Sequence, residues 1–171
     1  MNIPATDAHI PFDHTLPDHA LLDLEHFLPY RLSVLSNRIS ETIAETYAER
    51  FGIAIAEWRV IAVLGRHSGL SANGVAERTA MDKVAVSRTL ARLLEHGLVQ
   101  RDTHGDDRRR SVLELSEAGY RIFDEVVPLA LARERALLAH FSDEDKQQLD
   151  ALLVKLGQGL QDLIRPTVAG D

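Results

Sequence analysis

Apolar positions recur at helical spacing through most of the chain and switch to strict alternation in one short stretch. Leu28, Leu32, Leu35, Ile39, Ile43 and Tyr47 fall three or four apart, which predicts a long helix entered near Pro29 and stopped by Gly52. At about 22 residues it is twice the usual length of roughly 11–12, and such length suits helix-on-helix packing between subunits. A second helix is expected over residues 57–67, carrying Trp58, Val60, Ile61, Val63 and Leu64 and broken by Ser68-Gly69. Ser71 is a candidate N-cap for a short helix to about Thr79. The turn Ala80-Met81-Asp82 separates it from a helix over 83–96 that Gly97 closes. Residues 98–103 and 110–115 read as strands, Leu113 and Leu115 alternating with Val112 and Glu114, around the turn His104-Gly105-Asp106-Asp107. Two long helices finish the chain. One covers about 117–140, with a bend expected near Pro128. The other starts at the capping sequence Ser142-Asp143-Glu144-Asp145 and runs to about Ile164. Leu149, Leu152, Leu153, Leu156, Leu160 and Leu163 stripe the last helix, and Pro166 follows it.

Two short helices joined by a three-residue turn make a helix-turn-helix. On a wheel of about 100° per residue, Val86, Leu90, Leu93 and Leu94 gather on one side of its second helix. Lys83, Val84, Ser87, Arg88, Ala91, Arg92 and Glu95 gather on the other. A major groove about 12 Å wide takes one helix. The helix face it accepts needs small residues for close approach, hydroxyls and Arg for base edges, and Lys or Arg for phosphate. Lys83, Val84, Ser87 and Arg88 stand at the N-terminal end, which points at the bases, with Arg92 beside them as a phosphate contact. Ser71 joins this set at the start of the preceding helix. A solvated polar face is the plain alternative for such a wheel.

The hairpin weighs against that alternative. Its tip, Gly105-Asp106-Asp107-Arg108-Arg109-Arg110, sets three arginines side by side, where they repel one another and bury nothing. A narrow minor groove is strongly negative and accepts an inserted Arg. Arg109 is read as the minor-groove probe and Asp107 as the brace that orients its guanidinium, with Arg108 or Arg110 on phosphate.

Composition bounds the rest. The chain has 171 residues, 45% of them apolar, and a net charge of −7. The acidity is uneven. Residues 78–110 hold eight Lys/Arg against five Asp/Glu, whereas residues 1–57 hold three against nine and residues 111–171 six against eleven. A basic centre between acidic arms suits one face turned to phosphate and another turned away. No cysteine is present, which excludes disulfides, thiolate metal sites and thiol redox sensing. No run of about 18 apolar residues predicts a membrane span. Met1 to Pro17 lacks the pattern of a signal peptide, so the expected compartment is the cytoplasm. His9, His14 and His19 recur five apart among prolines, a spacing that fits a polar arm better than a metal site. No metal or cofactor is expected.

The run from Asp107 through Arg108, Arg109, Arg110, Ser111, Val112, Leu113, Glu114, Leu115 and Ser116 to Gly119 resembles the wing signature of the MarR family of transcriptional regulators. Residues 57–64 resemble that family's second helix, residues 81–90 its recognition helix, and residues 95–99 its step into the wing. The likeness extends over roughly residues 28–164. It implies a mainly α fold: a winged helix-turn-helix over 53–116, a helical dimerisation region from 28–52 and 117–165, and an N-terminal arm over 1–27. It further implies a homodimer that binds a palindromic operator in double-stranded DNA, one winged helix-turn-helix to each half, with repression as the family default. Many relatives release DNA on binding a small aromatic acid or its thioester. Candidate effector contacts here are Arg31, Ser33 and Asn37 on the first helix and Trp58, Arg59 and His67 on the second. Arg31 would pair with a carboxylate; a core aromatic is the favoured reading of Trp58, and structural ion pairs are an equal alternative for Arg31 and Arg59.

Two rival functions are open to test. An enzyme needs convergent acid, base or nucleophile groups, yet His67, His96, His104 and His140 fall on different elements and no Gly-rich phosphate loop is present. A helical scaffold using its winged helix for protein contacts is the alternative to DNA binding.

Overall fold

The architecture follows from how each apolar stripe finds cover. The computed structural model describes residues 20–103 and 111–164. The elements run α1 (Leu28–Ala44), α2 (Ala48–Phe51), α3 (Ile55–Arg66), α4 (Ala72–Thr79), α5 (Lys83–Glu95), β1 (Val99–Thr103), β2 (Ser111–Leu115), α6 (Glu117–Leu137) and α7 (Asp143–Ile164). The chain divides into two units, residues 1–37 and residues 38–171. The polar arm and the hairpin tip read from the sequence at 1–19 and 104–110 lie outside the described residues.

The first helix does not run unbroken to Gly52. After Ala44 the chain tightens: the amides of Thr46 and Tyr47 donate to the carbonyls of Ile43 and Ala44 at 3.1 and 3.0 Å, three residues back. The Thr46 hydroxyl adds a 2.6 Å bond to the Ile43 carbonyl. This break turns the Tyr47 side chain inward, where it is 1% exposed. Gly52, at φ 66°, then closes α2 in the left-handed region that glycine enters without strain. Helix α3 starts two residues ahead of the sequence expectation. Its N-cap, Ala54, has no side-chain acceptor, and the Glu57 carboxylate reaches back to the Ala54 N–H at 2.7 Å instead. That bond also explains why Glu57 is buried.

One apolar interior joins the helix-turn-helix, the hairpin and α6. Val60, Ile61 and Leu64 of α3 meet Val75 and Ala76 of α4, Val86, Leu90 and Leu93 of α5, Val99, Leu113 and Leu115 of the strands, and Val126 of α6. The strands pair antiparallel, Val99 opposite Leu115 and Arg101 opposite Leu113. Leu70, in the loop between α3 and α4, forms a further bridge to Leu113, which the sequence pattern did not show. The Gly69 amide donates to the Leu113 carbonyl and the Leu113 amide to that of Leu70, so this loop is tied to the wing.

Two glycines set how closely α6 packs. A Cβ on Gly119 would lie 2.1 Å from the Leu98 carbonyl oxygen, and one on Gly65 would lie 2.5 Å from the Phe123 ring. Helix α6 continues through Pro128 and ends at Leu137, earlier than the expected His140. A tight turn follows, in which the amides of Ala139 and Phe141 donate three residues back to Ala136 and Leu138. Ser142 and Asp145 form the capping box read from the sequence: the Asp145 amide donates to the Ser142 hydroxyl at 3.1 Å and the Ser142 amide to the Asp145 carboxylate at 2.9 Å. The backbone and side-chain hydrogen bonds from Ser142 hold the Asp145 carboxyl below its usual value.

Two measurements check this packing. Gly119→Ala must push Leu98 or α6 aside, and urea unfolding at fixed protein concentration is expected to show a loss of about 2–3 kcal/mol. The Tyr47 hydroxyl is buried with no hydrogen-bond partner among the described residues, and burial raises its pKa to about 12, Arg59 opposing. A pKa above the unfolded value of 10.0 gives stability that is complete below pH 10 and lost as pH rises towards 12. A Tyr47→Phe variant is expected to lack this alkaline loss in a pH series of thermal melts, with little change at neutral pH because no hydrogen bond is removed.

Candidate nucleic-acid interface

The outward face of α5 is built by its two ends and by what it buries. Asp82 caps the N-terminus: its carboxylate accepts from the amides of Val84 and Ala85 at 2.8 and 3.2 Å. Gly97, at φ 66°, sends the chain away from the C-terminus into β1. Val86, Leu90 and Leu93 are buried as the wheel predicted, and Leu94 is half-buried. Thr89 is also buried, although it is polar, because its hydroxyl donates to the Ala85 carbonyl at 2.9 Å.

With that side fixed, Lys83, Val84, Ser87, Arg88, Ala91, Arg92 and Glu95 are all exposed. Among the described residues, Lys83, Arg88 and Arg92 form no ion pair. The three cations are therefore exposed with no ion-paired anion among the described residues, and an external polyanion can take that place.

Helix α4 precedes α5 and packs against it. Ser71 caps it, accepting the Gly74 amide at 3.1 Å, and remains exposed with its hydroxyl proton free to donate to another group. The turn between the helices needs Ala80 at φ 52°, a left-handed conformation that costs an L-residue roughly 1–2 kcal/mol. Asp107, Arg108, Arg109 and Arg110, read as the wing contacts, lie outside the described residues. The strands that carry them are anchored at their base. Ser68 donates to Glu114 at 3.0 Å, and Ser116 both donates to the Gly97 carbonyl at 2.6 Å and caps α6 by accepting the Gly119 amide at 3.1 Å.

Comparison with known proteins places this arrangement. A family model described as MarR family matches residues 51–110. The uncharacterised HTH-type transcriptional regulator YwoH of Bacillus subtilis (strain 168) is 30% identical over 117 residues, 68% of this chain and 85% of that protein. The chain belongs to the MarR family. A crystal structure of a MarR/EmrR family transcriptional regulator from Acinetobacter sp. ADP1 has a TM-score of 0.76 at 30% identity, covering 82% of this chain and 99% of that one. The S. aureus MepR–DNA complex shares the fold at a TM-score of 0.69 and 22% identity, covering 80% of this chain and 98% of that chain. As a MarR family member the chain is a DNA-binding transcriptional regulator, and the family and its relatives are not enzymes.

The candidate effector residues of this MarR protein are distributed as follows. Arg31, Ser33 and Asn37 stand on α1 within the first unit. Ser33 and Asn37 are one turn apart, whereas Arg31 is about 160° around the helix from Ser33. Trp58, in α3, is half-buried between two rings, 5.7 Å from Tyr47 and 6.3 Å from Phe123. Arg59 donates to the Ser40 hydroxyl at 3.1 Å. His67 caps the far end of α3, about 13 Å along the axis from Trp58, with its Nε2 3.5 Å from the Arg78 guanidinium. Desolvation, then Arg78 and Arg66, hold its pKa below the usual value. Trp58 and Arg59, consecutive in α3, point about 100° apart, one to the Tyr47 and Phe123 rings and the other to Ser40, and His67 stands apart from both.

The sequence pattern places Asp82 only in the turn, reads Ser68 only as part of a helix break and Ser116 only within the wing signature, and gives Leu70 no role. An acidic residue directly before a helix of basic and small residues is the usable signal for Asp82. Leu70 and Ser68 carry no local signal, since their partners lie about 40 residues away along the chain. Asp82→Ala is expected to cost about 1 kcal/mol. Hydrogen exchange should quicken first at the Val84 and Ala85 amides.

Proposed function

We propose that this regulator binds a palindromic operator as a homodimer, represses from it, and leaves it on binding a small aromatic acid or aromatic acyl thioester. The observation that carries the DNA reading is the exposed row of Lys83, Arg88 and Arg92 on α5, without an ion pair among the described residues, with Val84 and Ser87 beside them. A helix is about 10–12 Å across with its side chains, and a major groove of about 12 Å receives it. Lys83, Val84, Ser87 and Arg88 face base edges in this reading, Arg92 and Ser71 meet phosphate, and Arg109 enters the minor groove with Asp107 bracing it and Arg108 or Arg110 on phosphate. In support, MepR of S. aureus was crystallised as a DNA complex, and the relatives YetL and MdtR of Bacillus subtilis (strain 168) are named as transcriptional repressors.

The dimer reading draws on α7. None of the side chains of this helix is buried, and its stripe of Leu152, Leu156, Leu160 and Leu163 is exposed, Leu163 at 84%. A cleft of about 500 Å³ opens between Ile39, Thr42 and Ile43 of α1 and Leu131, Ala136 and Leu137 of α6. Apolar surface of this extent is covered by a second copy in a soluble oligomer. The effector reading draws on the half-buried Trp58 and Arg59 of α3 as aromatic and cationic candidates, with Arg31, Ser33, Asn37 and His67 as further candidate contacts. An effector that prefers the wrong spacing of the two recognition helices by about 1–3 kcal/mol weakens DNA binding roughly 5- to 150-fold.

The test is titration against a selected operator over a range of salt. Wild-type affinity is expected to fall steeply with salt. Arg92→Ala should flatten the log–log slope by about one for each phosphate left without its cation, and Arg88→Ala should cost about 1–3 kcal/mol at one operator position. Arg109→Ala should lose affinity while sedimentation still reports a dimer. Unchanged DNA affinity in all three variants would favour the scaffold reading.

A further inference from the structure

Val84 is out of place for a surface residue. Between residues 36 and 119, among the described residues, it is the only large apolar side chain left exposed, at 57%. It lies about 180° around α5 from Leu93 and about 160° from Val86, both of which are buried. No rotation of its own side chain can bring it to the interior. An exposed valine also lowers helix propensity relative to Ala, Lys or Arg, so folding gains nothing from it.

Its placement is nonetheless tightly held. The Val84 amide is bonded to the Asp82 carboxylate at 2.8 Å, and a β-branched side chain in a helix keeps essentially one χ1 rotamer. Two methyl groups are therefore offered to the outside in one direction, at little entropic cost on contact. Around them stand polar or small groups: Ser87 and Arg88 one turn on, Ala91 two turns on, all exposed. The four positions form a single stripe at spacings of three, four and seven.

A major groove presents hydrogen-bonding groups from every base and one apolar group of any size, the C5-methyl of thymine. An aliphatic side chain gains from that group and from no other base edge. We infer that Val84 reads a thymine methyl in each half of the operator. This inference rests on the proposed seat of α5 in the major groove and adds the base that the stripe selects. Ser87 and Arg88 supply the neighbouring hydrogen bonds, and the small Ala91 lets the helix come close.

The experiment uses the full chain and random-sequence duplexes. Selection by wild-type protein should enrich a two-fold symmetric sequence with a fixed thymine in each half. Replacing that thymine by deoxyuridine, which removes only the methyl, should weaken binding about fourfold per half-site, the fold-change of one buried methyl group. Val84→Ala should bind thymine and deoxyuridine operators equally. Val84→Thr, which keeps the shape and one methyl, should retain part of the discrimination. Circular dichroism of both variants should match wild type and neither should melt lower, because the side chain is exposed and Ala and Thr are no poorer than Val in a helix. Enrichment without a methyl effect at any thymine overturns the role of Val84 and leaves the groove reading standing, as does discrimination that survives Val84→Ala. Failure to enrich any sequence overturns both.

Discussion

Four side chains of α5, Val86, Thr89, Leu90 and Leu93, are buried, and the orientation of its basic outward face depends on that insertion. Each fully buried aliphatic side chain contributes about 1.5–3 kcal/mol. Turning the helix by one residue, about 100°, would withdraw that stripe and drive Arg88 or Arg92 towards the core, where an unpaired charge costs several kcal/mol. The rotation of α5 is thus fixed by apolar burial, and its outward face is whatever remains. Asp82 and Gly97 fix where the face begins and ends.

The wing and α6 are joined to this helix through contacts with little slack. Leu70 pairs with Leu113, Ser68 with Glu114, and Ser116 links the Gly97 carbonyl to the first turn of α6. Gly119 lets α6 pass over Leu98 at a distance no other residue allows. A displacement of α6 therefore moves the base of the wing and the exit of α5 together, since close-packed interfaces shift as units and do not deform smoothly. Trp58 stands between Tyr47 and Phe123, so the approach to α2, α3 and α6 share one aromatic contact in the same region.

Charge and burial work in opposite senses in this molecule. The chain is acidic overall, at −7, yet the exposed face of α5 carries Lys83, Arg88 and Arg92 unneutralised by any described neighbour. The first turn of α7 holds Asp143, Glu144 and Asp145. Anions at a helix N-terminus suit the helix dipole, so this cluster stabilises its own helix.

Much of this was legible in the order of residues. Local periodicity and capping chemistry determine helix identity, and the stripe of Val86, Leu90 and Leu93, the closing Gly97, the Ser71 cap and the Ser142–Asp145 box all stood in the sequence because each involves partners within four residues. The alternation that marks β2 was equally plain. Tertiary structure alone decided the break at Thr46 that buries Tyr47, the early start of α3 on Glu57, the burial of Thr89, the bridge from Leu70 to the wing, and the need for glycine at 65 and 119. Each of these turns on an element remote in sequence, or on a polar group whose burial is tolerated only once its hydrogen bond exists. A periodic pattern can say which face of a helix is apolar. It cannot say which neighbour arrives there, how closely, or which hydroxyl travels inward with it.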